Sequence, residues 1–254
     1  DHDYDALVVE TLGHAAAATG LIAQSLKFDG AITLQIQGAG RLQMLVMQST
    51  NDFDMRGMAH VDVTSSASDF AELTTKSRCA VTVDSGERPY QGIVEMNETS
   101  LAASLEHYFA RSVQVPSHLA LVANEELAGG ILLQQVPGQS IEEDDWNRLN
   151  FLAKTLTQSD FEGDAGIGLL RKLFAEDDVR VYEPRAVNFN CRCSAARAED
   201  VLKMLGEEES RQVLAEQGGI EIICEYCGHR RHFDAVDVER LFARNVVPPP
   251  ERVQ

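Results

Sequence analysis

Four of the five cysteines in this 254-residue chain stand in two close pairs. Cys191 and Cys193 form a C-x-C motif, and Cys224 and Cys227 form a C-x-x-C motif further along the chain. Two close pairs at such a separation are a typical ligand arrangement for tetrahedral Zn²⁺, which favours four thiolates in a closed structural site. The sequence therefore predicts one Zn²⁺ ion held by these four cysteines.

The turn that contains the second pair supports this prediction. In Cys224–Gly228 the glycine directly follows the second cysteine, as in a zinc knuckle, where it lets backbone donors approach the sulfurs. His229 and His232 lie close by in the sequence and are possible further ligands. Because four thiolates already fill a tetrahedron, we expect both histidines at the surface.

Two other uses of the cysteines are possible, as structural disulfides or as a redox pair. Structural disulfides are disfavoured because we expect no export signal from a sequence that, as given, opens without a basic-then-apolar segment, and disulfides rarely persist in a cytosol. A thioredoxin-like redox pair is disfavoured because its C-x-x-C should open a helix after a strand. Here the motif is predicted to lie between two strands. Zinc is the favoured interpretation over both.

The size of the cysteine-bearing segment links zinc binding to folding. A unit of about 60 residues has a marginal core and commonly needs a metal or a disulfide, so zinc binding and folding would form one equilibrium. Peroxide or hypochlorous acid can oxidise metal-bound thiolates. Each pair could form a disulfide, Cys191–Cys193 and Cys224–Cys227, and would then bind no zinc. A purely structural zinc finger remains the alternative.

Cys79 stands alone, just before a predicted strand at Ala80–Val83. An isolated cysteine of this kind is more often a buried small hydrophobe than a nucleophile. We assign it no role.

The charge of the chain bears on its partners. The formal net charge is −18, and residues 188–254 hold twelve acidic against nine basic residues. A nucleic-acid-binding protein needs a basic face to neutralise phosphates. The pair Arg230–Arg231 alone supports a zinc-ribbon nucleic-acid module, so we expect no nucleic-acid partner.

Enzymes and membrane proteins are disfavoured on sequence motifs. The chain contains no G-x-x-x-x-G-K-[ST], H-E-x-x-H or G-x-S-x-G motif, and a four-thiolate zinc has no open position for a substrate. A thiol-disulfide oxidoreductase is the enzyme class that stays open. Val8–Leu26 is the most apolar stretch, but Glu10 and His14 interrupt it, so we expect no membrane span.

Hydrophobic periodicity predicts an α+β fold with an N-terminal mixed helix/sheet core domain, a helical linker and a small C-terminal zinc-binding domain. The predicted domains are residues 1–137, 138–187 and 188–254. A long helix is expected over residues 4–28 and a shorter one over Ser100–Arg111, capped by Ser100 or Thr99. Strands are predicted around residues 32–36, 42–47, 56–63, 80–83, 90–96, 118–123 and 130–136.

The predicted linker opens with a capping box at Ser140–Glu143, in which a serine and a glutamate satisfy free backbone donors at a helix start. An apolar stripe follows at helical spacing and consists of Trp146, Leu149, Leu152 and Leu156. Glycines at 163, 166 and 168 then interrupt the pattern before a short helix around Leu169–Phe174. Both a pair of core helices and a metastable linker fit this stretch.

The C-terminal unit is predicted to hold three helices and a strand. The first helix starts through Ser194, turns Val201, Leu202 and Leu205 inward and stops at Gly206. A second helix covers about residues 207–217, the strand Ile220–Ile223 leads to Cys224, and Asp234 caps the last helix. The tail Val247–Pro250 is expected to be disordered.

Several motifs together resemble the redox-regulated thirty-three-kilodalton chaperonin family, heat shock protein 33. The resemblance extends beyond the two cysteine motifs and covers nearly the whole chain. The further matching segments are Leu26–Gly30 with Ile32–Gln35, Met55–Gly57, Tyr90–Gly92, Tyr108–Ser112 and Gly129–Gln134.

The resemblance implies a cytoplasmic, ATP-independent holding chaperone of the oxidative stress response. In such proteins the reduced form, with Zn²⁺ on the cysteines that correspond to Cys191, Cys193, Cys224 and Cys227, is inactive. Oxidation to two disulfides releases the zinc, unfolds the switch and the linker and exposes a hydrophobic surface. The activated protein forms a homodimer and binds unfolding client proteins. The linker stripe from Trp146 to Leu156 is the part we expect to act as the lid over that surface.

Overall fold

The computed structural model describes residues 3–86, 88–96, 98–136, 138–139, 141–162 and 166–243. The chain divides into two compact units. The first unit spans Asp3–Asn190, and the second comprises the described residues that follow Asn190. The first cysteine of the C-x-C motif is thus the first residue of the second unit.

The first unit mixes helices with mainly antiparallel strands, which confirms the α+β prediction. Its helices are α1 (Ala6–Ser25), α2 (Phe70–Leu73), α3 (Leu101–Tyr108), α4 (Glu143–Lys154), α5 (Gln158–Phe161) and α6 (Ile167–Leu173). Its strands are β1 (Ala31–Gln37), β2 (Leu42–Thr50), β3 (Asp54–Val61), β4 (Arg78–Asp84), β5 (Tyr90–Glu95), β6 (Ser117–Ala123), β7 (Ala128–Gln134) and β8 (Asn188–Phe189).

The strands form a six-stranded sheet, in the order β5-β4-β1-β2-β3-β8, and a separate β6–β7 hairpin. Neighbouring strands of the large sheet are antiparallel except for β8, which runs parallel to β3. In β1 the fully buried Ile32, Leu34 and Ile36 alternate with more exposed residues. The period-2 alternation predicted from the sequence thus marks the central strand of the core.

Helix α1 packs on both sheets and contacts β2, β3, β6 and β7. Asp5 caps its start by accepting hydrogen bonds from the backbone N–H groups of Leu7 and Val8. By length and composition alone α1 is apolar enough to cross a membrane. In the fold its buried face includes Ala15, Ala18 and Ile22, so its apolar character is accounted for by the core of the first unit.

Helix α3 begins as predicted but ends earlier. The Ser100 hydroxyl accepts a hydrogen bond from Ala103 N–H at 3.1 Å and caps the helix. After Tyr108 the backbone widens into a π-helical turn, Phe109–Val113, which ends at Gln114 with a left-handed φ of 58°. The regular helix expected to reach Arg111 is therefore replaced over its last residues by the wider turn.

Helix α4 of the linker segment begins at Glu143 after Glu142, whose side chain makes no capping hydrogen bond. Ser140 lies outside the described residues, so the capping box expected at Ser140–Glu143 stays a prediction. Three acidic residues in the first turn, Glu143–Asp145, stabilise the helix N-terminus through their charge.

The linker helices pack on the β6–β7 hairpin of the same unit. Phe161 of α5 and Leu169 of α6 form a buried cluster with Ile131 of β7, and Leu156 packs against it. Gly129 admits the Phe161 ring, because a Cβ there would lie 2.8 Å from the ring atom Cδ1. Within the compact first unit, the division into a core of residues 1–137 and a linker of residues 138–187 stays a prediction, and Pro137 lies outside the described residues.

The second unit follows the predicted order of elements. It contains α7 (Ala195–Leu205), α8 (Glu207–Gln217), β9 (Ile220–Ile223), β10 (Arg230–Phe233) and α9 (Ala235–Ala243). Its small core consists of Ala198, Leu202, Ile220, Phe233, Val238 and Leu241. The predicted tail, Val247–Pro250, lies outside the described residues.

The inward face of α7 was predicted correctly at Leu202 but wrongly at Val201 and Leu205. Leu202 is 1% exposed, but Val201 and Leu205 are 44% and 46% exposed. Ala198, four residues before Leu202, completes the buried face instead. An alanine carries a weaker hydrophobic signal than valine or leucine. The prediction therefore assigned the larger residues next to Ala198 and Leu202 to the buried face, although they lie on a neighbouring face of the helix.

Candidate metal centre

Two separate segments carry the cysteines. Cys191 and Cys193 lie in the irregular stretch between β8 and α7, and Ser194 caps α7 by accepting a hydrogen bond from Arg197 N–H at 3.2 Å. Cys224 directly follows β9, and Cys227 lies in the turn before β10. The C-x-x-C motif therefore lies between two strands, as predicted.

The turn from Cys224 to His229 has the backbone geometry of a knuckle. Cys224 N–H donates to the carbonyl oxygen of His229 at 3.0 Å, and Gly228 N–H donates to the carbonyl oxygen of Cys224 at 2.8 Å. Gly228 has a φ of 67°, a left-handed conformation that glycine adopts at little cost. This reversal places both cysteines of the motif on one side of the hairpin end.

The four sulfur atoms converge. All four Sγ atoms lie within 4.8 Å of one another, and each cysteine is half-buried. Across the two segments the sulfurs of Cys191 and Cys224, and those of Cys193 and Cys227, lie 3.5 Å apart. Zinc–sulfur bonds of about 2.3 Å in a tetrahedron require sulfurs about 3.8 Å apart. The cluster therefore fits a single tetrahedral metal ion bound by four sulfurs.

Two thiols of the cluster have very different pKa values. Burial raises the pKa of Cys224, but the backbone N–H groups of Cys227 and Tyr226 outweigh it and lower the pKa to about 7. Burial raises the pKa of Cys191 to about 12. Crowded thiols cannot all ionise without a positive charge among them. A divalent cation among the four sulfurs would therefore stabilise their thiolate forms.

The two nearby histidines are exposed, as expected from the sequence. Among the described residues the metal-ligand cluster consists of the four cysteines, and it includes neither His229 nor His232. The spacing of the cysteines therefore suffices to find the candidate ligands.

Cys79 is 0% exposed and lies in β4, where it is paired with Ile36 of β1 and Val94 of β5. Burial raises the pKa of its thiol to about 12. Its position confirms the sequence interpretation of a small buried hydrophobe.

The predicted lid residues lie on α4 and just after it. Trp146, Leu149 and Leu152 are half-buried, as is Leu156, whereas Phe151 on another face of the helix is 69% exposed. Ala153, which the sequence analysis did not single out, is the fully buried residue of α4. The stripe is therefore turned toward the rest of the first unit. Its role as a lid stays a prediction.

The segment that precedes the first cysteine makes contacts that the sequence did not indicate. Arg185 donates a hydrogen bond to the carbonyl oxygen of Asn51 at 2.8 Å, and its guanidinium lies 4.4 Å from the centre of the Phe53 ring. The side-chain amide of Asn190 donates to the Asp54 carboxylate at 2.7 Å. Exposed arginines and asparagines carry no periodic signal, so these contacts emerge only from the fold.

Comparison with known proteins finds similarity over nearly the whole chain. The family model of the Hsp33 protein matches residues 1–234. The 33 kDa chaperonin of Nitrosococcus oceani is 42% identical over 249 residues, which cover 98% of this chain and 86% of that protein. The 33 kDa chaperonin of Escherichia coli is 38% identical over 99% of this chain and 87% of its own length.

A solved structure shares the fold. The crystal structure of the 33 kDa chaperonin (heat shock protein 33 homolog) from Thermotoga maritima superposes with a TM-score of 0.81 at 24% sequence identity. The match covers 94% of this chain and 87% of that one. The similarity thus extends over both units of the chain.

Proposed function

The chain belongs to the Hsp33 family, and from this premise we propose that it is a redox-regulated, ATP-independent holding chaperone. The observation that carries the proposal is the convergence of four sulfurs within 4.8 Å in the smaller unit. The relatives of this chain are named chaperonins, which supports a role in binding other proteins rather than in catalysis.

Cys191, Cys193, Cys224 and Cys227 are the proposed ligands of one Zn²⁺ ion in the reduced, inactive state. Bound there, Zn²⁺ would join the two cysteine segments and supply folding free energy that the small unit lacks. Six buried residues form the core of that unit, which is few for a stable fold. The integrity of the unit therefore depends on the state of its sulfurs.

Oxidation of the cysteines is the proposed signal. One molecule of hydrogen peroxide accepts two electrons from two cysteine thiolates, which form one S–S bond, and its two oxygens take up two protons from the solvent and leave as two water molecules. Two such reactions convert the four thiolates into the disulfides Cys191–Cys193 and Cys224–Cys227. Neither disulfide retains a thiolate ligand, so the second unit would lose its cross-link and unfold.

Unfolding of the second unit and the linker is proposed to expose an apolar surface of the first unit. That surface would bind unfolding client proteins, and the activated chain would form a homodimer. Large exposed apolar patches mark interaction sites, and the net charge of −18 would keep such a molecule soluble. We place this function in the cytoplasm, with no membrane or nucleic-acid partner.

The alternative of a nucleic-acid module rests on the basic pair Arg230–Arg231. Arg230 donates to the Glu221 carboxylate at 2.8 Å, so part of the charge of this pair is offset within the hairpin, which makes the alternative less favoured.

The test follows zinc, thiols and client binding together. The reduced chain should contain one zinc and five thiols that react after denaturation, since it has five cysteines. After peroxide at raised temperature, one thiol, that of Cys79, should remain and the zinc should be free. Suppression of the aggregation of a model client should appear over the same time course.

Two variants serve as matched comparisons. Cys224→Ser should lose zinc and redox control, whereas Cys79→Ala should retain both because Cys79 is buried in the other unit. Zinc that stays bound after peroxide, or that leaves without any holding activity, would show that the site is purely structural.

A further inference from the structure

Strand β8 forms one edge of the six-stranded sheet, next to β3. Its Asn188 N–H donates to the carbonyl oxygen of Phe53 at 3.0 Å, and Asn190 N–H donates to that of Met55 at 2.9 Å. These bonds extend the sheet by a parallel strand of two residues. The edge of β3 therefore binds an extended backbone, and does so through main-chain groups that any polypeptide offers.

The occupant of this edge is weakly held. Every residue from 180 to 190 is exposed, and Phe189 is 67% exposed although it lies in a strand. The side-chain contacts that hold the segment, from Arg185 to Asn51 and Phe53 and from Asn190 to Asp54, are also at the surface. Exposed polar contacts of this kind each contribute little because water competes for them.

A groove runs beside the β3 edge under the same segment. Residues 180–185 and Val187 line an open cavity of about 600 Å³, which small residues of α1 and β7 also line, next to Phe53 and Met55. These small residues are Ala16, Ala17, Gly20, Ala128, Gly129 and Gly130. The segment thus lies over space that it does not fill, and larger apolar side chains would fit there.

We infer that the β3 edge at Phe53–Met55, together with this groove, is a docking site for an extended apolar polypeptide segment, which residues 185–190 occupy in the reduced protein. The natural occupant would be an extended stretch of an unfolding protein, so this part rests on the proposed holding function. Asn190 directly precedes Cys191, so unfolding of the second unit would free the C-terminal end of the resident strand.

The contacts of the resident segment also specify the ligand. Arg185 stands three residues before Asn188 and contacts the Asn51 carbonyl, the Asp52 carboxylate at 3.7 Å and the Phe53 ring. A basic residue three positions before the paired backbone would make the same contacts in another chain. The preferred ligand is therefore an extended apolar segment with an arginine or lysine at its N-terminal side.

The test uses the full-length, reduced protein and a fluorescein-labelled peptide with the sequence of Glu183–Asn190, followed by fluorescence anisotropy. The variant Arg185→Ala with Asn190→Ala should bind the peptide about tenfold more tightly than the parent chain, because its own segment competes less well. Arg240→Ala, which removes an exposed arginine of α9 that donates to Asp237 and lies outside the groove, is the matched control and should bind like the parent.

Methylated peptides test the strand pairing itself. N-methylation at the positions of Asn188 and Asn190 removes the two donors that bond to β3 and should abolish binding, whereas N-methylation at Phe189, whose N–H points away from β3, should not. A peptide with Arg185→Glu should bind more weakly.

Equal binding of both methylated peptides, or no gain in the double variant, would overturn the inference. Hydrogen exchange at Asn188 and Asn190 gives an independent measurement, because their amides should exchange faster in the double variant. The assay contains no oxidant and no client, so its result stands apart from the test of the holding function.

Discussion

At the scale of single residues, the chemistry of this chain lies in how differently its five cysteines are placed. Cys79 is fully buried in β4, where burial raises the pKa of its thiol to about 12. Cys224 lies in a turn whose backbone N–H groups stabilise its thiolate. The same side chain is therefore inert in one unit and suited to metal binding and oxidation in the other.

A second residue-scale feature makes the first unit sensitive to acid. The Glu106 carboxylate of α3 accepts hydrogen bonds from His118 Nδ1 and from the backbone N–H of Leu119, both at 2.6 Å, and so joins α3 to β6. Burial raises the pKa of Glu106, but these hydrogen bonds outweigh it and hold the pKa below its usual value.

Because the folded-state pKa is lowered, Glu106 stabilises the fold above its unfolded-state pKa, and this contribution is lost as the pH falls through the folded-state value. We predict that Glu106→Gln lowers the free energy of unfolding at pH 7 by about 1 kcal/mol and weakens its decline towards acid pH. Urea unfolding at pH 7 and at low pH checks this. Glu98→Gln, in the more exposed pair with His107, should change little, and equal effects of both variants would contradict the prediction.

At the scale of elements, the core face of α7 can be tested directly. Leu202→Ala should destabilise the second unit by about 2–5 kcal/mol because it removes a fully buried side chain from a small core. Its neighbour Val201→Ala should change stability by at most about 0.5 kcal/mol. Since folding and metal binding are coupled, the apparent zinc affinity of each variant, measured by chelator competition, should follow the same order. Similar losses in both would contradict the assigned face.

The lid hypothesis also belongs to this scale. Replacing Trp146 and Leu149 with glutamine should give client holding without oxidation, because the stripe would no longer cover apolar surface. The control is Phe151→Gln, which removes an exposed aromatic side chain from the same helix. Aggregation assays under reducing conditions compare the two. Holding activity that still depends fully on oxidation in the double variant would contradict the lid hypothesis.

The elements differ in how well the sequence predicts them. Alternating apolar residues located β1, and strand-like segments located β2 to β7, because these signals are local. Polar or glycine caps such as Ser100 and Gly206 located helix ends for the same reason. Strand β8 escaped prediction, since a two-residue strand is defined by its partner and not by its own sequence. The four cysteines were found from spacing alone, but the backbone donors that lower the Cys224 pKa depend on the folded turn.

At the scale of the whole molecule, two units with cores of unequal size share one chain. The first has a large continuous core and the second a core of six buried residues. The proposed metal site lies in the unit with the smaller core, so we expect local unfolding there to leave the sheet of the other unit intact.

We therefore predict that a strong zinc chelator, added under reducing conditions, unfolds the second unit first. Hydrogen exchange followed by mass spectrometry should show loss of protection in residues 195–243, while β1, β2 and β4 stay protected. Adding zinc back should restore protection, which separates metal loss from irreversible damage. Continued protection of residues 195–243 after the metal has been removed would contradict the proposed coupling.

The shortness of β8 also bears on timing. A strand of only two residues with exposed side chains presents a small barrier to detachment, and loop-scale motions of this kind take nanoseconds to microseconds. Reactions of thiols with peroxide and the reshuffling of disulfides take seconds to hours. The delay between an oxidative shock and the response would thus be set by sulfur chemistry, and recovery would be as slow as the reduction of two disulfides.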